Sequence, residues 1–187
     1  MPATTQALAV DSVIYDLEDS VALDLKATAR GLVARHLSCN SMSSTSRAPK
    51  EVAVRINAVD TALALEDLSE VLKQGKHVDT TVVPKVQGPA DLHFVADVVR
   101  LFAPHRPLKT GSSDAVYDAD SRPLNILALI ESARGLSDIN SICRAAPLTD
   151  LSGIAFVAED FTTELGLSLL PDRRDLLSAR SSIVTAP

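Results

Sequence analysis

The sequence predicts a parallel α/β fold, and three observations carry that prediction. Short runs rich in Val, Ile, Leu and Ala recur along the 187 residues, and each is followed by a stretch with the 3.6-residue period of an amphipathic helix. Strand and helix patterns in alternation make βαβ units, whose crossovers are right-handed and whose strands lie parallel. The composition agrees: 46% of residues are hydrophobic but only 3% aromatic, with no Trp, so the core rests on aliphatic side chains that suit parallel strands. Finally, the marked polar residues fall at the carboxyl ends of the apolar runs, where open sheets and (β/α) barrels place their sites.

Five strands are expected, and each can be justified in turn. Residues 12–17 (SVIYDL) form the first and run out into Glu18-Asp19-Ser20. Side chains alternate across a strand, so Asp16 and Glu18 share one face while Tyr15 and Leu17 take the other. Acids at i and i+2 on the end of a buried strand pack poorly, which marks Asp16 and Glu18 as candidate site residues. Asp19 or Ser20 can cap the helix that follows. Its apolar positions are Val21, Leu25, Ala29 and Leu32, with Lys26 and Arg30 on its flanks.

Residues 38–49 are Ser-rich and without period, and read as a surface loop with no chemistry of its own. Residues 51–57 (EVAVRIN) are the second strand, in which Arg55 shares a face with Ala53 and Asn57, opposite Val52, Val54 and Ile56. An Arg in a short apolar strand needs a counter-charge or an anionic ligand, so Arg55 is expected at the mouth in one of those two duties. Leu65, Leu68 and Leu72 mark the next helix, and Gly75 ends it.

Residues 80–86 (TTVVPKV) are the third strand, with Pro84 at its end because Pro cannot donate to a ladder. Lys85 then lies at the mouth. The helix after Pro89 carries Leu92, Val95, Val99 and Phe102 on one stripe. His93 falls off that stripe and reads as solvent-facing, as do His36, His77 and His105, and none of the four has paired metal-ligand spacing. Residues 103–123 form a second irregular insert.

The chain is organised around residues 125–161. An apolar strand, 125–130, stops at Glu131; Ser132-Ala133-Arg134-Gly135-Leu136 leads into a helix; a second strand, 151–157, stops before Glu159 and Asp160. Parallel strands point the same way, so Glu131 and Asp160, or its neighbour Glu159, converge at the carboxyl ends. Two carboxylates about 4 Å apart repel by roughly 4 kcal/mol at an effective dielectric near 20, which a divalent cation or a shared proton offsets. The alternative is that these acids are helix N-caps. A final helix opens at Pro171 or Asp172 and runs through Leu176, Leu177, Ala179 and Ile183.

The net charge of −6 argues against a nucleic-acid surface, which needs clustered Lys and Arg. No apolar run reaches the roughly 18 residues that span a membrane, and no basic-then-apolar leader opens the chain. Cys39 and Cys143 lack metal spacing and read as thiols of a reducing compartment. A cytoplasmic protein is therefore expected, with the mitochondrial matrix as the alternative although no transit peptide is visible. A generic phosphate-binding barrel has little support, because no Gly-rich turn joins a strand to a helix.

Several blocks together resemble a known family. Asp16-Leu17-Glu18-Asp19-Ser20-Val21 with Lys26 and Ala29-Arg30 is similar to the "DLEDxV…K..AR" signature of the citrate lyase beta-subunit family. Val54-Arg55-Ile56-Asn57, Val83-Pro84-Lys85-Val86, the stretch from Leu129 to Leu136, and Ala158-Glu159-Asp160-Phe161 match further blocks in order and at compatible spacing. The wider group is the HpcH/HpaI aldolase superfamily, which includes the malyl-CoA and citramalyl-CoA lyases.

That resemblance implies a Mg²⁺-dependent carbon–carbon lyase acting on an acyl-CoA or a 2-oxo or hydroxy acid through a metal-stabilised enolate. Glu131 and Asp160 would hold Mg²⁺, Arg55 and Glu131 would line the substrate site, and Asp16, Glu18 and Lys85 would be the catalytic candidates near the metal. Mg²⁺ suits one or two carboxylates, keeping several waters and leaving positions for substrate oxygens. Alternatives are an acyl-CoA thioester hydrolase, or a truncated non-catalytic relative that keeps the metal motif. The family has Gly where Val157 stands, so this side chain is expected to crowd the substrate's approach.

The family's opening strand with its Gly-containing turn, and its later strands, have no counterpart in these residues. An eight-stranded barrel takes about 250 residues. The resemblance thus implies a single partial domain over residues 1–187, an incomplete (β/α)8 TIM barrel of about five strands truncated at both ends, with inserts near 38–49 and 103–123. Five strands cannot close. A homo-oligomer, or a partner that completes the barrel, is expected to cover its open edges.

Overall fold

The computed structural model describes residues 10–38, 51–75, 77–106 and 123–186. The predicted inserts lie outside the described residues except at their ends, as does Cys39.

Five strands form one sheet in the order β1-β2-β3-β4-β5, every neighbouring pair parallel. They are β1 (Ser12–Asp16), β2 (Glu51–Arg55), β3 (Thr80–Val83), β4 (Asn125–Ile130) and β5 (Leu151–Phe156). The first three crossovers carry α1 (Lys26–Ser38), preceded by a 3-10 turn at Leu23–Leu25, then α2 (Ala62–Gln74) and α3 (Pro89–Phe102). Consecutive strands lying side by side give the singly wound order of a barrel, without the strand reversal of a doubly wound sheet. Among the described residues β1 and β5 are each paired on one side only. No helix among these residues is long and apolar enough to cross a membrane.

Four of the expected strands run one to three residues past the assigned ladder. Their last backbone groups still reach the neighbouring strand: Leu17 N–H donates to Arg55 O, Ile56 to Val82 O, Val86 to Leu129 O and Val157 to Ile130 O. The chain then turns away. After Pro84, Lys85 sits in the left-handed region at φ 52°, which breaks the extended run. The β4–β5 register shifts between Ile126 and Leu127, leaving Ser152 as the extra residue, and its hydroxyl donates to Ile126 O at 3.1 Å.

Alternation sorts the strand residues as predicted. Leu17, Val52, Val54, Ile56, Val83, Ile126, Ala128 and Ile130 join the main core under the helices. Ala53, Val82 and Leu129 are buried on the other face, where Leu127, Ala155 and Val157 pack against them. Among the described residues that second face gathers side chains of the strands and their ends, and the candidate site lies at its carboxyl end.

The helices correct several sequence-based expectations. In α1 the buried positions are Arg30, Ala34 and Leu37, while Leu25 and Leu32 are exposed. The inward stripe is instead Ala29, Val33, Ala34 and Leu37, joined by Arg30, which pairs with the buried Asp67. In α2, Leu68 and Leu72 are buried with Ala64 and Val71, but Leu65 is exposed. Gly75 does end α2, and a Cβ there would lie 2.7 Å from Val71 O. Neither Asp19 nor Ser20 caps α1; Asp16 holds that turn instead, accepting from Glu18 N–H at 2.8 Å and Ser20 N–H at 3.1 Å.

Between β4 and β5 the single expected helix is three short ones, α4 (Ala133–Ser137), α5 (Ile139–Arg144) and α6 (Ala146–Thr149). Pro147 lacks the N–H that would continue α5, and Asp150 leaves α6 in the left-handed conformation at φ 57°. After β5 come α7 (Ala158–Glu164), a 3-10 turn at Arg174–Leu176 and α8 (Leu177–Thr185). Leu176 and Ala179 of this last segment are buried against Phe161, whereas Leu177 is exposed.

Candidate active site at the carboxyl ends

The register of β1 and β2 places Asp16 directly beside Arg55. The guanidinium grips the carboxylate with a fork, Nε to Oδ1 at 2.8 Å and Nη2 to Oδ2 at 2.6 Å. Such bidentate pairs are among the strongest polar contacts available. Burial works to raise the Asp16 carboxyl, but the bonds from Arg55, Ser20 and the turn amides outweigh it and hold the group well below the usual carboxylate range. The same Asp16 bond pushes the Arg55 guanidinium up, against its own burial.

Arg55 also meets the next acid. Its Nη1 lies 3.1 Å from Glu18 Oε2 and 3.6 Å from Asp19 Oδ2. Glu18 is only 5% exposed, and its Oε1 accepts from Lys85 Nζ at 2.8 Å. That bond raises the Lys85 ammonium above its ordinary value despite partial desolvation. Of the two duties the sequence left open for Arg55, the structure displays the ion pair.

Glu131 follows β4 on the same face. It is 4% exposed, and no side chain donates a hydrogen bond to either carboxylate oxygen. Burial, then the charges of Glu18 and Asp160, push its pKa from the ordinary 4.5 to about 7, while the Lys85 ammonium and backbone amide pull the other way. Asp160 is exposed in the first turn of α7, and it is its charge that bears on Glu131. The neighbouring Glu159 instead lines a cavity of 390 Å³ between β5 and α8, with Phe156, Leu176 and Ile183, where none of the site acids reaches.

The N-cap reading fails for Glu131. Ser132 caps α4, its hydroxyl accepting from Gly135 N–H at 3.0 Å. Asp160 is not the cap of α7 either, since Val157 holds that position. Gly135 itself is required by close approach: a Cβ would lie 2.3 Å from Val86 O, so α4 docks on the β3–α3 loop only without a side chain there.

The six predicted site residues, Asp16, Glu18, Arg55, Lys85, Glu131 and Asp160, therefore share one end of the sheet. Four carboxylates face two cations. Among the described residues no three His, Cys, Asp or Glu side chains gather into a metal cage. The donors present fit a hard divalent cation all the same. A buried carboxylate with no side-chain donor, beside two further acids, is relieved by a cation or a proton, and Mg²⁺ needs only one or two such ligands.

Sequence reasoning missed the support beneath this cluster. Lys26, Arg30, Asn57 and Asp67 form a buried polar chain behind Glu18. Lys26, Arg30 and Asn57 did fall in the blocks that resemble the family, but the apolar stripe put Lys26 and Arg30 on the helix flanks and nothing marked Asp67.

A singly wound parallel sheet with acids and cations at its carboxyl ends defines a sector of a TIM-type barrel with a charged site. The chain belongs to the HpcH/HpaI aldolase/citrate lyase family, whose model matches residues 1–187. Mitochondrial citramalyl-CoA lyase of Mus musculus is 29% identical over 184 residues, which is 95% of this chain and 49% of that protein. Citrate lyase subunit beta of Leuconostoc mesenteroides is 33% identical over 180 residues, 94% of this chain and 52% of that one. Protein CitE of Mycobacterium tuberculosis, solved in complex with magnesium and acetoacetate, superposes with a TM-score of 0.65 at 29% identity, covering 96% of this chain and 61% of its own. The chain thus spans about half the length of the curated relatives it matches.

Proposed function

We propose that this chain carries the active site of a Mg²⁺-dependent carbon–carbon lyase acting on an acyl-CoA or a 2-oxo or hydroxy acid. One observation carries the reading: the buried Glu131 carboxylate, without a side-chain donor, at the end of β4 beside the Arg55–Glu18–Lys85 relay. The lyase names of the relatives and the magnesium and acetoacetate bound to the Mycobacterium tuberculosis protein support it.

In this reading Glu131 and Asp160 hold the cation. A bound divalent cation supplies Lewis-acid polarisation of the substrate's oxo group, and so stabilises the charge that develops when a carbon–carbon bond breaks. Arg55 would orient an oxo-acid carboxylate by sharing its Nη1 edge, which lies outside the Asp16 fork, with the Glu18 carboxylate 3.1 Å away. Glu18 keeps Lys85 protonated and aimed across the mouth, where the ammonium can stabilise an anionic group or return a proton. Leu129 and Val157 form an apolar floor that limits water behind the site. Val157 occupies part of this face, so a small substrate fits better than a branched one.

The test is release of a 2-oxo acid from malyl-CoA or citramalyl-CoA, trapped with a hydrazine reagent, with Mg²⁺ and with a chelator. Glu131→Gln should abolish both turnover and the Mg²⁺-induced rise in melting temperature. A second reading, cation binding without turnover, is favoured by the saturation of Arg55 with Asp16 and Glu18. It predicts the melting shift alone. Absence of any Mg²⁺ effect on the parent protein would sink both.

A further inference from the structure

A buried polar chain runs from α2 to the mouth and meets the site only through backbone atoms. Asp67 of α2 has no exposed surface. Its Oδ1 accepts from Arg30 Nε at 2.7 Å, and its Oδ2 accepts from the backbone N–H of Asn57 at 2.9 Å and from Asn57 Nδ2 at 2.6 Å. Asn57 Nδ2 also donates to Leu17 O at 3.0 Å, while its Oδ1 accepts from Lys26 Nζ at 2.7 Å. Lys26 gives its two other protons to Leu17 O at 2.7 Å and Glu18 O at 2.6 Å. All three donors of the ammonium are used.

Packing alone does not require these groups. Buried ionic clusters are often no more stabilising than apolar side chains of the same volume, so what they supply is geometry. Apart from Asn57, the partners of Lys26 are the carbonyls of the two residues that carry the chain from β1 into its turn. The second of those residues is the acid held between Arg55 and Lys85.

We propose that Asp67 is a positioning residue: acting through Asn57 and Lys26, it holds the Leu17–Glu18 backbone so that the Glu18 carboxylate bridges Arg55 and Lys85. The proposal rests on reading the carboxyl-end cluster as the site, and it assigns the alignment of that cluster to a side chain in the helix layer. Asp67 touches none of the reacting groups.

Amide hydrogen exchange followed by NMR tests it. Glu18 N–H donates to Asp16 Oδ1, and Val21 N–H donates to Glu18 O, so both amides report on this turn. Asp67→Asn and Lys26→Met should each lower protection of Glu18 and Val21 about tenfold relative to the Val54 strand amide, equivalent to about 1.4 kcal/mol of local opening. The double variant should lose no more than Lys26→Met alone. Val71→Ala, in the core of the same helix, supplies equal global destabilisation and should leave that ratio unchanged. Should Asp67→Asn not fold, Asn57→Ser breaks the chain between Asp67 and Lys26 and carries the same expectation. Unchanged protection in these variants, or losses that multiply in the double variant, would overturn the proposal. Exchange does not depend on metal or turnover, so a protein that shows this pattern without binding Mg²⁺ refutes the functional reading alone.

Discussion

Replacing Glu131 by Gln turns an electrostatic cost into a measurable pH dependence. The carboxyl is raised from 4.5 to about 7 in the fold, chiefly by burial and then by Glu18 and Asp160. For an acid so raised, the folded protein binds more protons than the unfolded chain between those two values. Stability therefore falls as pH rises from 4.5 to about 7, and the full cost is present above that. About 2.5 pH units at 1.36 kcal/mol each put this cost on the order of 3 kcal/mol. Gln removes the charge but buries an amide whose own unmet hydrogen bonds cost about 1–3 kcal/mol.

That amide term does not titrate, so it cancels in a comparison across pH. In chelator, urea unfolding should show Glu131→Gln gaining about 2–3 kcal/mol on the parent between about pH 5 and about pH 8. For a chain of this size that is roughly 5–10 °C in melting temperature. Saturating Mg²⁺ should reverse the order at high pH, because the parent gains about 2.7 kcal/mol at a hundred times the dissociation constant and the variant gains nothing. Parallel stability curves for the two proteins across this range would refute the claim that burial raises the Glu131 carboxyl.

Three further outcomes are expected. Arg55→Met should lower neutral-pH stability by about 2 kcal/mol, less than the 3–5 kcal/mol of a fully buried pair because the Arg55 side chain keeps 21% exposure. Asp16 is depressed in the fold, so its contribution is present above its ordinary value of 3.8 and lost as pH falls; Arg55→Met should flatten that acid limb, and identical acid limbs in the two proteins would contradict the fork. Gly135→Ala should cost about 1–3 kcal/mol through contact with the Val86 carbonyl, and an unchanged melt would mean that the β3–α3 loop yields. Light scattering should find this chain larger than a monomer, since among the described residues β1 and β5 each keep one unpaired edge; a cooperatively melting monomer would show the edges to be covered.

The strands were legible because a parallel sheet writes itself as aliphatic runs, and period-2 alternation set Asp16 opposite Tyr15 and Leu17, and Arg55 opposite Val52, Val54 and Ile56. What the sequence hid was pairing between elements. The rotation of α1 followed Leu25 and Leu32 in the apolar pattern, whereas the fold turns Arg30 inward because Asp67, 37 residues later, waits there. No local pattern encodes that partner. The three short helices before β5 were missed for a simpler reason: Pro147 and the left-handed Asp150 are breaks whose effect depends on where the next strand must start. Family resemblance supplied the candidate roles of Glu131 and Asp160, which spacing left divided between metal ligands and caps. The cap at Ser132 removes the cap reading for Glu131.

The site face also explains why the charges sit where they do. Two residues behind each strand-end group on the same face lies an apolar one: Ile14 behind Asp16, Ala53 behind Arg55, Leu129 behind Glu131. Ala53 and Leu129 are buried, so charges above them act over a floor of low polarisability, and interactions there are stronger than the same pairs would be in water. Ile14, on the edge strand, is 52% exposed, and the acid above it is the one most fully satisfied by donors. Glu131, over the buried Leu129, receives no side-chain donor. Position in the sheet thus divides these two acids: Asp16, on the edge strand β1, is committed to an internal ion pair, whereas Glu131, at the end of the inner strand β4, is buried with its pKa pushed up to about 7.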